Sequence, residues 1–182
     1  MFLLLACAAT EPELVTLSFT VEAATISGNP LGLDDNSRSA TGSGTMAYDL
    51  HTDDSAWDDE SRGEYQHTNS SVFELDFEGL SISGSTSANV EIQDLDPDTF
   101  RFEDGVPFIA DQDGLPGPMS VDGEERPDVE LWFSMTEEAG TAFASDALPE
   151  VFPQVLLDPD NPHTFSLEDE GGTLLFQLLS FE

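Results

Sequence analysis

Lysine is absent from this chain of 182 residues, and four arginines stand against 38 aspartates and glutamates, giving a formal net charge of −34. Arg38, Arg62, Arg101 and Arg126 lie far apart in the sequence. Neutralising a phosphate backbone takes clustered Lys or Arg, so nucleic-acid binding is excluded. Attachment to anionic lipid through charge is excluded for the same reason. Cysteine is nearly missing too: Cys7 stands alone, which rules out an internal disulfide. The apolar start Met1-Phe2-Leu3-Leu4-Leu5-Ala6 falls far short of the roughly 20 residues a membrane-spanning helix needs. It also lacks the basic n-region of a complete secretory signal.

What remains is enough to fold. Charged residues make up 23% of the chain, close to the ordinary value of about 25%, so only their sign is skewed. Leu, Ile, Val and Phe together make 47 of the 182 residues. That lies above the share of about 20% below which highly charged chains stay disordered. The length suits one domain with one core. A folded chain carrying −34 repels itself, and salt shortens the screening length from about 10 Å at 0.1 M to about 3 Å at 1 M. The composition therefore points to a salty setting, against a general acidic bias as the alternative.

At the N-terminus, Leu4-Leu5-Ala6-Cys7 resembles the lipobox of bacterial lipoproteins, in which a small residue precedes the cysteine that is lipidated. The resemblance implies that residues 1–9 are the remnant of a signal, that Cys7 carries the lipid, and that residues 10–182 form the domain. Stable anchoring takes more than one acyl chain. The alternatives are a start placed late within another signal, or an apolar N-terminus of no consequence.

Beyond residue 12 the hydrophobic period is two. Leu17, Phe19, Val21 and Ala23 alternate with polar positions, as do Met46, Tyr48 and Leu50, and Phe73, Leu75 and Phe77. Further strands are expected at Ala88, Val90 and Ile92, at Phe100 and Phe102, at Val129 to Met135, and at Phe165 and Leu167. The last run, from Leu174 to Phe181, is apolar on both faces and reads as a central strand. Turn signals such as Gly28-Asn29-Pro30 and Asp94-Leu95-Asp96-Pro97-Asp98 separate them, and one or two helical turns are expected between Pro149 and Leu157. The pattern predicts an all-β fold: a single antiparallel, jelly-roll-like β-sandwich of about seven to nine strands.

Candidate chemistry is sparse. His51, His67 and His163 are scattered through polar surroundings, so a metal site built from His51 and His67 competes with exposed loop histidines, the commoner outcome. Carboxylates are too abundant for any pair to signal a glycosidase. No nucleophile elbow, phosphate loop or dinucleotide fingerprint is present, and the chain reads as no enzyme. Calcium is the one cofactor the sequence suggests, because Asp94, Asp96 and Asp98 alternate as oxygen ligands around one ion do. The segment departs from the EF-hand pattern at Thr99 and Gly105, and Asp111-Gln112-Asp113-Gly114 is a second partial match. The competing reading is a set of solvated acidic turns. Trp57, Tyr65 and Trp132 are the candidates for a carbohydrate platform, against packing of Trp132 in the core between Leu131 and Phe133.

Several segments together resemble the bacterial extracytoplasmic β-rich proteins associated with PEP-CTERM sorting tails. They are Leu17-Ser18-Phe19-Thr20-Val21 with Ile26-Ser27-Gly28, Gly42-Ser43-Gly44-Thr45-Met46-Ala47-Tyr48-Asp49, and Arg62-Gly63-Glu64-Tyr65 leading to Phe73-Glu74-Leu75. Phe143-Ala144-Ser145-Asp146-Ala147-Leu148-Pro149 and Thr164-Phe165-Ser166-Leu167 complete the set. The chain ends at Phe181-Glu182 without the sorting tail, and a lipid on Cys7 would replace that anchor. The resemblance implies a secreted or surface domain, with exopolysaccharide or other envelope components as partners and no catalytic residues. The expectation is a monomeric, non-enzymatic envelope protein that touches the membrane only through lipid on Cys7. A calcium- or carbohydrate-binding module is the first alternative and a secreted hydrolase the second.

Overall fold

The computed structural model describes residues 11–56, 58–68, 72–84, 87–95, 97–104, 118–158, 160–161 and 163–182. Its strands are β1 (Leu14–Gly28), β2 (Thr41–Asp49), β3 (Arg62–Thr68), β4 (Val72–Phe77), β5 (Leu80–Ser83) and β6 (Ser87–Gln93). They continue with β7 (Asp98–Asp104), β8 (Met119–Val121), β9 (Glu124–Arg126), β10 (Glu130–Glu137), β11 (His163–Asp169) and β12 (Gly172–Phe181). The only helical structure among the described residues is three short 3-10 turns, the last of them Gln154–Leu157, where one or two helical turns are expected.

All twelve strands belong to one antiparallel sheet, in the order β3-β6-β7-β10-β11-β12-β1-β2-β4-β5-β8-β9. The all-β, antiparallel reading holds, but the sandwich of seven to nine strands does not. The sheet curls on itself as a half-barrel, so its two wings face each other across one core. The rings show this directly: Phe73 of β4 lies 6.4 Å from Phe102 of β7, and Tyr48 of β2 lies 6.1 Å from Phe100 of β7. These strands are five or six places apart in the sheet. A period of two marks which side chains point inward, and it is the same whether two sheets face each other or one sheet curls to face itself.

Inside sits a cluster of aromatic rings in edge-on and offset contacts, the geometry their quadrupoles favour. Phe19 meets Phe165 edge-on at 5.5 Å, Phe133 meets Phe165 at 5.5 Å, and Phe77 meets Phe176 at 5.2 Å. Gly44 of β2 pairs directly with Phe19 of β1. A Cβ there would run into the Glu74 carbonyl oxygen and the Phe19 ring, so the missing side chain makes the room that the ring fills.

β1 keeps Leu17, Phe19, Val21 and Ala23 buried, then breaks phase at a bulge between Ala23 and Thr25 so that Ile26 also turns inward. β12 is central, between β11 and β1, as its apolar run suggests. It is not covered on both faces, however: Leu174 and Phe176 point into the core while Leu175 and Leu179 remain 38% and 50% exposed.

Candidate functional site

Four of the positions singled out by sequence, Cys7, Trp57, Asp96 and the segment 111–114, lie outside the described residues. The remaining candidates do not converge. Asp98 opens β7 fully buried, and its two oxygens accept the backbone N–H of Leu95 at 3.1 Å and of Phe143 at 2.9 Å. It is an anchor for a distant loop, with both oxygens already engaged. Asp94 is part-exposed in the turn before it and donates its N–H to the Ser61 carbonyl. No group of three or more metal-ligating side chains occurs among the described residues.

Tyr65 is a core residue, 6% exposed, and forms no part of an exposed platform. Its hydroxyl donates to the Asp146 carbonyl at 2.9 Å, and burial pushes its pKa up to about 12. Trp132 does face outward from β10, whose Leu131, Phe133 and Met135 are buried on the other side. It is half-buried and flanked by Glu103 of β7 and Ser166 of β11. Among the described residues no second aromatic joins it on that face.

The polar groups that do converge fasten one irregular strap, residues 138–153, across an end of the half-barrel. Glu137 accepts the N–H of Ala139 at 2.8 Å and of Thr141 at 2.7 Å, and these bonds hold its carboxyl below the usual range. Asp98 takes the next N–H, from Phe143, and Tyr65 the Asp146 carbonyl. Tyr48 then donates to the Pro149 carbonyl at 2.7 Å, and burial raises its pKa. Gly63 lets the strap pass: a Cβ there would meet the Asp146 carbonyl and the Tyr65 ring. The strap closes with Phe152 edge-on to Phe100 at 4.9 Å and with Leu156 fully buried. Sequence reasoning singled out Ser145-Asp146-Ala147-Leu148-Pro149 only through a resemblance. The signal that these residues are bound is the pairing of two inward tyrosines with a turn-rich segment, which local pattern alone does not reveal.

On the outer face of one wing, Glu91 of β6 lies between two cations, 2.8 Å from Arg62 and 3.1 Å from Arg101. Burial opposes its charge, but Gln93 and the two guanidinium groups outweigh that and keep its pKa low. At the other edge of the sheet, Arg126 grips Asp128 with two hydrogen bonds and reaches Asp169 at 3.2 Å. Asp169 also accepts the N–H of Leu31, which ties the turn after β1 to the β11–β12 hairpin.

Two of the three histidines depart from the expectation of exposed loops. His51 meets it, exposed in the turn after β2 beside Asp49 and Glu13, whereas His163 is half-buried and begins β11 with Nε2 2.7 Å from the Leu156 carbonyl. His67 of β3 is fully buried, and burial lowers its pKa to about 4. A groove of ≈ 490 Å³ runs over the outer face of β12, β1, β2 and β4. Thr20, Ser43, Thr45, Glu74, Asp76 and Glu182 line it, and Thr20 meets Ser180 at 2.6 Å. It offers hydroxyls and carboxylates, and so suits hydroxylated ligands or cations better than anions. No known protein family, no characterised protein and no solved structure matches this chain.

Proposed function

We propose that the chain is a non-catalytic extracytoplasmic domain, anchored by lipid on Cys7 or secreted, with a structural or interaction role at the cell envelope. The observation that carries this reading is the engagement of its chemically equipped side chains within the fold itself. Asp98, Glu137, Tyr48 and Tyr65 fasten the strap, and Glu91 gathers two arginines. The outer face of the wing formed by β1, β2 and β4 presents short hydroxyls and carboxylates to solvent. Such a surface keeps a protein soluble and apart from anionic neighbours in salt. The lipobox-like Leu4-Leu5-Ala6-Cys7 and the resemblance to envelope-associated β-rich proteins support the location. Mass spectrometry of protein extracted from the membranes of its native host tests it. A mature chain beginning at an acylated Cys7 is expected; an unmodified Cys7 with residues 1–6 still attached overturns the anchor.

A second reading, a module for neutral carbohydrate or calcium, rests on the groove over β12, β1, β2 and β4. Calorimetry with neutral glycans and with Ca²⁺ separates the two. Saturable heat that the double variant Glu74→Gln, Asp76→Asn abolishes supports the module, and diffuse, salt-screened uptake supports the structural role.

A further inference from the structure

β3 is the first strand in the sheet order; among the described residues its one ladder neighbour is β6, and its other side carries a single bridge, from Tyr65 to Asp54. Near its end, His67 turns inward and is fully enclosed at the place where the strand meets the end of β2. The ring Nδ1 accepts the backbone N–H of Asp49 at 3.4 Å and lies 2.7 Å from Thr52 Oγ1. A nitrogen that accepts carries no proton, so the neutral ring bears its hydrogen on Nε2, and that buried atom has no partner among the described residues. Asp49 in turn accepts, on Oδ1, the backbone N–H groups of Glu13 and His51 at 3.0 Å each. The ring, the end of β2 and the chain entering β1 are thus one hydrogen-bonded unit.

We propose that His67 is an acid-sensitive latch that holds β3 against the end of β2, so that protonating its ring frees this edge of the sheet while the rest stays folded. A second proton turns Nδ1 into a donor facing the Asp49 N–H, donor against donor, and places a charge where no solvent reaches it. Thr52 can rotate its hydroxyl to accept; the backbone N–H cannot. Burial disfavours the charged ring, while the Asp49 carboxylate opposes that in part. The charged groups on the neighbouring elements are Asp49, Glu13 and His51, with Asp54 holding the Glu64 N–H on the same strand. His51 gains attraction to Asp49 and Glu13 when protonated, which works against opening. Across β6 the pair partner is Ala88, which brings no charge.

The direction runs opposite to that of the molecule as a whole, because acid discharges the carboxylates and relieves the repulsion of a −34 chain. Amide hydrogen exchange on the full chain, corrected for intrinsic rates, separates the two. Between pH 7 and pH 5 the opening of Arg62–Thr68 rises about twentyfold, for a ring shifted from an ordinary value near 6.5 to about 4. Protection of Glu130–Glu137 in β10 holds or increases. In His67→Asn, whose Oδ1 accepts the same N–H but takes no proton, the rise disappears. Where that variant does not fold, ring NMR of the wild-type chain decides, with a His67 midpoint near 4 as the expected result. Opening of β3 that is flat with pH, an equal rise in H67N, or a His67 midpoint near 6.5 overturns the latch.

Discussion

Asp98 closes an Asp-x-Asp-x-Asp spacing that suits a cation, yet its partners are two backbone N–H groups, one of them 45 residues away. Spacing reveals which residues sit near one another in sequence; it carries no information about Phe143, which takes one of the oxygens. Removing the carboxylate strands a buried N–H, and an unsatisfied buried donor costs about 1–3 kcal/mol. Asp98→Ala is therefore expected to lower stability by about that much, read as a shifted denaturation midpoint, with Asp98→Asn losing less because one acceptor remains. An unchanged midpoint in D98A contradicts the anchor role. Tyr65 teaches the same lesson from the other side. An aromatic beside Gly63 and Glu64 reads as a surface ring, and only the passage of the strap over Gly63 explains why it is buried. Tyr65→Phe keeps the ring and loses one hydrogen bond, a change of about 1 kcal/mol. At Gly44, an added methyl meets the Glu74 carbonyl and Phe19, so Gly44→Ala is expected to cost about 1–3 kcal/mol through overpacking, again measured by chemical denaturation.

Among the elements, those with aliphatic or aromatic residues at every second place were legible. β1, β2, β4, β6, β7, β10, β11 and β12 all carry such a pattern. β3 does not, because its inward positions are Gly63, Tyr65 and His67. β5, β8 and β9 are too short to show a period, although Asp122-Gly123 between β8 and β9 is a recognisable hairpin turn. The strap was invisible as an element, since nothing in its local sequence names the four side chains that hold it. Its first fastening makes a prediction about pH. Glu137 has a pKa below the ordinary 4.5, so its contribution is present above that range and is lost as the pH falls through and below it. Exchange protection at Ala139 and Thr141 should weaken between pH 6 and pH 3, and in Glu137→Gln it should be low and independent of pH. Equal wild-type protection at both pH values contradicts the fastening.

Across the whole molecule, the absence of lysine and the excess of acid find their place on the outside of one curled sheet. Carboxylates such as Glu74 and Asp76 stand on its outer face and in the turns, while Phe19, Phe73, Phe133 and Phe165 fill the inside. The topology was the least legible level: pairing of β3 with β6, or of β5 with β8, depends on which edges meet after the sheet curls, and acids and hydroxyls on the outer face do not distinguish the choices. Three arginines are tied into local ion pairs, which leaves the bulk of the negative charge without a cation. Repulsion among these groups weakens the folded state in dilute buffer and is screened by salt. The melting temperature of the chain between 0.1 and 2 M NaCl at neutral pH tests this account most directly. It should rise steadily with salt as the acid coat is screened; a flat or falling melting temperature would contradict the assignment of the −34 charge to a mutually repelling coat on the surface of the fold.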